Sequence, residues 1–335
     1  MSNGIPTPVP SANAGSMNGS YVSHAFIQSP KTVAILGAAF SGGQARGGVE
    51  NGPQTLAEFG LHEQLRDLDW NVVVDPRCRD LTHLQPKSDP PIGVLKNPRY
   101  VSAVCEHVAQ VVEEHARAGE LVLTVGGDHS LGMATISGTS RVHKDMCVVW
   151  VDAHADINTP LTTASGNLHG CPVSFLMGLP GTQIPEYAWC TPCLTPDRIV
   201  YIGLRDVDAA EKRILREYGI KAFSMTDVDR YGIGKVVELA LDHVNPNRDR
   251  PIHLSYDVDA LDPSVAPATG TPVRGGLSFR EGHYVCEALH ETGLLCAMDI
   301  MEVNPALANG DITHLTQTVA VGCSLVRSAL GETLL

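Results

Sequence analysis

Four short apolar runs in this chain end in acidic residues, and this repetition constrains the fold more than any other feature: "MCVVWVD", "RIVYIGLRD", "PIHLSYDVD" and "LLCAMDIMEV". The most telling continues as "CVVWVDAHADIN", Cys147 to Asn158, where five apolar or near-apolar residues lead into Asp152, His154 and Asp156 at every second position. An unbroken apolar run of this length reads as a strand buried on both faces, as in the middle of a parallel sheet. Carboxylates and imidazoles at the end of such a strand are costly to desolvate unless paired, and a cation would satisfy all three together.

Helical patterns separate the strands. "RYVSAVCEHVAQVVEEHARAG" has the 3.6-residue apolar period and stops at Gly119, while "SFREGHYVCEALHETG" opens with Ser278 and Glu281 at capping-box spacing. One helix is expected over "PQTLAEFGLHEQLRDL", and others at "LGMATISGTS", "AAEKRILREYG" and "GKVVELALDHV"; further strands are expected at Val33–Leu36, "WNVVV" and "ELVLTVGG". Alternation of this kind implies an α/β fold, a mainly parallel sheet covered on both faces by helices. Residues 31–335 read as one domain without internal repeat, and ligands of such folds bind outside the carboxyl ends of the strands. That is where the acidic residues gather.

Residues 1–30 are rich in Ser, Asn, Gly and Pro and contain no Lys or Arg, so a flexible tail is expected instead of a secretory signal or a mitochondrial presequence. A net charge of −13 argues against nucleic-acid binding, and no window reaches the length of a membrane span. Nine cysteines without repeated spacing read as reduced thiols, which by default places the protein in the cytoplasm.

Three strand ends carry candidate metal ligands. "TVGGDHS" offers His129, "VDAHAD" offers Asp152, His154 and Asp156, and "SYDVDALDP" offers Asp257 and Asp259 at i and i+2. Four carboxylates with two imidazoles are too acidic for a structural zinc site and suit a harder divalent ion such as Mn²⁺. They also exceed the negative charge one ion needs, so two ions sharing carboxylates are expected.

These motifs, with "DAHADINTPLTTASGNLHG", "GLRDVDAAE", "SYDVDALDPSVAPATGTPVRGG" and "MEVNP", resemble the arginase family of the ureohydrolase superfamily, from about Thr32 to about Leu330. The resemblance implies a three-layer α/β/α fold and two Mn²⁺ per subunit. Asp152 and Asp257 would bridge the ions, with His129 and Asp156 completing one shell and His154 and Asp259 the other. It implies hydrolysis of L-arginine to L-ornithine and urea, with Asp156 as proton carrier, His169 as proton shuttle and Glu302 holding the guanidinium. Asn158, Thr163 and Ser165 would read the α-carboxylate, Asp208 and Glu211 the α-amino group, and Thr271 would line the pocket. A homo-oligomer, trimer or hexamer, is the family expectation.

Asp208 and Glu211 also stand at capping-box spacing before "AAEKRILREYG", a structural role compatible with a binding one. Three rivals are open, of which a metal-dependent deacylase of related fold would use one zinc and need fewer carboxylates. Agmatinase or guanidinobutyrase would share every metal ligand but has no use for the "NTPLTT" loop. A non-catalytic metal-bound regulator would be expected to have lost a ligand or a proton-transfer group, and none is lost. "VAILGAAFSGGQARGG" fails the dinucleotide fingerprint at Ala39, and "WCTPC" leads into a strand where a redox CxxC would begin a helix.

Overall fold

The computed structural model describes residues 22–308 and 310–333; residues 1–21 of the expected tail lie outside them. The first half of the chain forms β1 (Thr32–Gly37), α1 (Gly52–Glu58), α2 (Leu61–Asp67), β2 (Asn71–Asp75), α3 (Pro98–Arg117), β3 (Leu121–Val125), α4 (Gly132–Val142), β4 (Cys147–Val151) and α5 (Pro172–Leu176). The second half forms β5 (Ile199–Leu204), α6 (Ala209–Glu217), β6 (Lys221–Ser224), α7 (Met225–Tyr231), α8 (Ile233–Val244), β7 (Ile252–Asp257), α9 (Phe279–Glu291), β8 (Leu295–Met301) and α10 (Ile312–Ala329).

The eight strands lie in the order β2-β1-β3-β8-β7-β4-β5-β6, and every pairing is parallel. Alternate strand residues feed two apolar cores. Val33, Ile35, Val149, Val151 and Leu254 pack with α1, α2, α8, α9 and α10, whereas Leu36, Val122, Val148, Trp150 and Tyr201 pack with α3, α4 and α5. This is the expected three-layer α/β/α arrangement. Each fully buried aliphatic side chain contributes roughly 1.5–3 kcal/mol, so a sheet buried on both faces is a stiff platform for its strand ends.

The helix expected over "PQTLAEFGLHEQLRDL" is in fact two, α1 and α2. They separate at Gly60, whose φ of 91° lies in the left-handed region that other residues enter only with strain. Sequence periodicity also missed α5, β6, α7 and α10. β6 has four residues and lies half-exposed at the sheet edge, and α10 mixes Thr, Val and Gly in a run without a clear polar face. The capping boxes at Ser278/Glu281 and Asp208/Glu211 are both formed. Residues 22–30 pack on the domain: Ala25 N donates to Gly293 O at 2.8 Å, and Gln28 N and Ser29 N both donate to Gly119 O at 2.9 Å. Of the expected tail, the described residues 22–30 thus carry hydrogen bonds to the domain.

Candidate metal centre

The site is built at the carboxyl ends of β3, β8, β7 and β4, four adjacent strands in the middle of the sheet. After β3 the chain turns sharply through Gly126 and Gly127. A Cβ on Gly127 would fall 1.7 Å from Phe40 O, so only glycine lets the loop after β1 approach this closely. The turn brings in His129, which is fully buried and stacks on Trp150 of β4 with centroids 4.1 Å apart.

His129 Nδ1 faces three carboxylates: Asp152 Oδ2 at 3.1 Å, Asp257 Oδ2 at 3.2 Å and Asp156 Oδ2 at 3.5 Å. His154 Nδ1 faces Asp259 Oδ2 at 3.1 Å and Asp152 Oδ1 at 3.3 Å. Two groups of donor atoms result, His129–Asp152–Asp257 and Asp152–His154–Asp259, each spanning no more than 4.8 Å. Asp152 belongs to both, one oxygen turned to each, as a bridging ligand between two cations would be. The backbone holds that pose, because His154 N donates to Asp152 Oδ1 at 2.7 Å and Trp150 Nε1 to Asp152 Oδ2 at 2.9 Å.

Electrostatics show why this donor set fits cations. Burial, reinforced by Asp259 and Asp152, pushes the Asp257 carboxyl well above its ordinary range; burial and Asp152 do the same to Asp156. Burial alone would lower His129, but Asp152 and Asp257 hold it well above an ordinary histidine. Four carboxylates crowded around two imidazoles make an anionic pocket whose charge divalent cations would offset. All-oxygen-and-imidazole ligation with four carboxylates suits a hard or borderline divalent ion.

A cavity of about 230 Å³ opens onto this cluster. Of the residues predicted from sequence, His154, Asp156, Asn158, His169, Asp208, Glu211, Asp257 and Thr271 line it. His129, Asp152 and Asp259 lie behind them, and so does Glu302, which is only 1 % exposed. Thr163 and Ser165 stand off the wall; their hydroxyl oxygens accept Gly166 N at 3.1 Å and Asn167 N at 3.2 Å, shaping the loop. Thr271 Oγ1 donates to Asp259 Oδ2 at 2.9 Å. Asn158 Nδ2 donates to Asp208 Oδ2 at 2.8 Å, and Asp208 caps α6 through Ala210 N and Glu211 N. Burial and neighbouring Asp208 push Glu211 up to about 7. A larger cavity of about 710 Å³, between β1, β2, α1 and α2, is lined by none of the clustered ligands.

Sequence reasoning passed over several residues here. Asp206 lines the cavity, with Oδ2 3.8 Å from His154 Nε2; its position two residues before Asp208 in "GLRDVD" was the available signal. Behind His129 runs a buried relay: Nε2 meets Ser255 Oγ at 2.9 Å, Ser255 Oγ donates to Asp299 Oδ2 at 3.1 Å, and the same oxygen takes Thr135 Oγ1 at 2.7 Å and His253 Nε2 at 2.9 Å. Ser255 and Asp299 are register partners on β7 and β8, which puts both side chains on one face. No local motif announces such a pair. Asp156 (φ 47°) and Glu302 (φ 65°) are two of the six described non-glycine residues with positive φ, strain held where the site needs it.

The loop carrying Thr271 is clasped by Asp262, which accepts Ser264 Oγ at 2.6 Å, Ser264 N at 2.9 Å, Gly275 N at 2.8 Å and Gly276 N at 3.2 Å. These donors, Ser264 first, lower its carboxyl from 3.8 to about 2. A depressed carboxyl stabilises the fold fully above its unfolded pKa and loses that contribution as pH falls through the folded value. Asp262→Asn is therefore expected to lower the urea-denaturation midpoint at pH 6, with the gap to wild type closing between about pH 4 and pH 2. A gap that stays constant over that window would remove the clasp from the account.

A model described as the arginase family matches residues 31–331. The chain is 60 % identical over 314 residues to the arginase of Glaciozyma antarctica (strain PI12), covering 92 % of this chain and 90 % of that one. It is 51 % identical over 305 residues to arginase-1 of Rattus norvegicus, covering 90 % and 93 %. The crystal structure of a cold-adapted arginase from the psychrophilic yeast Glaciozyma antarctica superposes with a TM-score of 0.77 at 53 % identity, over 94 % of this chain and all of the other.

Proposed function

This chain belongs to the arginase family, and on that premise we propose that it hydrolyses L-arginine to L-ornithine and urea with two Mn²⁺ ions per subunit. The ions would be held by His129, Asp152, Asp156 and Asp257 on one side and by Asp152, His154, Asp257 and Asp259 on the other. When bound, they supply hydroxide at neutral pH by lowering the pKa of a shared water.

The remaining work falls to side chains. A guanidinium resists nucleophiles because its charge is spread over three nitrogens, so it must be fixed and its leaving nitrogen protonated. Glu302 provides a buried carboxylate for a charge-assisted pair with the guanidinium. Oxygen adds to the guanidinium carbon, the bond to the chain nitrogen breaks, and that nitrogen leaves as an amine after taking a proton. Asp156, on the cavity wall among the ligands, delivers that proton, and His169 exchanges protons with solvent. His169 Nδ1 sits 3.5 Å from Glu302 Oε1, and although burial lowers its pKa, this carboxylate raises it overall.

The observation that carries arginine over a decarboxylated guanidine is the Asn158–Asp208 pair on the wall of the catalytic cavity. An amide donor beside a carboxylate matches the two charges of an α-amino acid head, whereas agmatine has no carboxylate to offer Asn158. Glu211 supports Asp208 from within the capping box and reaches the ammonium with it. Thr163 and Ser165 stand off the wall in the loop beside Asn158; each hydroxyl accepts a backbone N–H and keeps its own proton to give, so their proposed part is to donate to the carboxylate where it extends toward that loop. Thr271 shapes the wall from the clasped loop.

Urea release from arginine and from agmatine by the Mn²⁺-loaded protein tests the reading. Release from arginine with at least about 100-fold lower kcat/KM for agmatine is expected, because agmatine lacks the carboxylate that this wall would recognise. Comparable rates on agmatine would sink the roles of Asn158 and Asp208. All nine cysteines are free and eight are buried, which fits a reducing compartment, so we assign the cytoplasm. Assembly into a trimer or hexamer is proposed with it and is checked by light scattering. Among the described residues no helix is long and apolar enough to cross a membrane.

A further inference from the structure

Glu302 is a carboxylate at 1 % exposure on a left-handed backbone, so its donors decide where its oxygens point. Oε1 accepts His129 N at 2.9 Å and faces His169 Nδ1 at 3.5 Å. Oε2 is held by one group, Gln44 Nε2 at 2.8 Å. A carboxylate has about four acceptor sites, two on each oxygen; Oε1 carries the His129 amide and faces the His169 ring, so Oε2, the oxygen that Gln44 fixes, is the less crowded of the two.

Gln44 comes from "AAFSGGQARGG", the Gly-rich loop between β1 and α1 whose dinucleotide fingerprint fails. The loop is anchored around this side chain. Gly43 N donates to Asp128 Oδ2 at 2.8 Å, Gly43 O accepts His169 N at 3.0 Å, and Arg46 Nη1 donates to Gly270 O. Gly270 closes the other side: a Cβ there would lie 3.0 Å from Gln44 Oε1 and 3.4 Å from Glu302 Oε2. Only glycine fits comfortably here, because a side chain at 270 would press on both the amide and the carboxylate.

We infer that Gln44 is a positioning residue for guanidinium recognition, holding Glu302 Oε2 so that the carboxylate presents its open site in the plane a guanidinium needs. A single tether at Oε1 would leave the carboxylate free to rotate about its last bond; the second tether fixes the plane. A charge-assisted N–H···O bond from a planar guanidinium is favoured in the plane of the carboxylate, so this orientation acts on binding of the guanidine end and not of the amino-acid head.

The inference rests on the proposed arginine reaction, and the experiment separates the two. Gln44→Leu and Gln44→Asn are compared with wild type for kcat and KM with arginine, for competitive inhibition by ornithine, and for bound manganese and melting temperature. Leucine removes the donor at similar size, while asparagine keeps an amide one methylene too short. Both are expected to raise KM for arginine about 10- to 100-fold, the effect of losing a hydrogen bond to a charged group. The ornithine inhibition constant should stay within about twofold, because ornithine lacks the guanidinium, and manganese content and melting temperature should hold. A KM unchanged in an active protein overturns the role of Gln44 alone. A parallel weakening of ornithine also overturns it, marking general displacement of the loop. A wild-type protein releasing no urea from arginine overturns the proposed function and this inference with it.

Discussion

Asp152→Asn is expected to lower urea release by at least about 10³-fold, a barrier increase of about 4 kcal/mol at 1.36 kcal/mol per decade. Asp152 is the one residue common to both donor groups, so its change weakens both cation positions at once. Asparagine retains the shape and keeps an acceptor for His154 N or Trp150 Nε1, so the loop after β4 should hold its course. What disappears is one unit of negative charge between the two proposed cation positions. Metal analysis should then find fewer than two manganese ions per chain after desalting. The rise in melting temperature on adding manganese should shrink as well, since a ligand stabilises only as far as it is bound. Full activity with two ions retained would show that Asp152 does not bridge.

The second large effect lies away from the cavity. Asp299→Ala removes the acceptor shared by Thr135, Ser255 and His253, all 0–1 % exposed. Each stranded buried donor costs about 1–3 kcal/mol, and water cannot easily enter to replace the lost partner. A loss of about 3–5 kcal/mol in apo-protein stability is expected, a large part of the roughly 5–15 kcal/mol typical of a domain. Because Ser255 also orients His129 through Nε2, metal affinity should fall by about 10- to 100-fold, as when other supports of a ligating histidine are removed. Denaturant unfolding of the apo protein reads the first effect, and competition with a chelator the second. Stability within 1 kcal/mol of wild type would mean the relay is not structural; unchanged affinity would mean it does not reach the metal ligands.

These two residues differ in how visible they were. Asp152 announces itself because the strand period is two and a carboxylate ending an apolar run has no cheap explanation. The same local logic exposed His154, Asp156, Asp257 and Asp259, and the capping box at Asp208 and Glu211. Asp299 sits inside "CAMDIM" with nothing nearby to mark it, and its meaning depends on Ser255 lying opposite on the neighbouring strand. Gln44 is 258 residues from Glu302, in a loop that sequence reasoning could assign to no chemistry. The break at Gly60 shows a third limit, since one glycine inside a helical period can be tolerated or can end the helix, depending on what the second segment must cover.

The sequence by itself determined the α/β class, the strand ends that carry the chemistry and the ligand types, because these follow from short-range periodicity and the desolvation of charge. Only the tertiary structure decided which side chains meet in each donor group, how Ser255 and Asp299 stand behind His129, and which loop reaches Glu302. Those depend on the spatial strand order, β3-β8-β7-β4 in the middle of the sheet, and parallel crossovers juxtapose residues hundreds of positions apart that no local pattern relates.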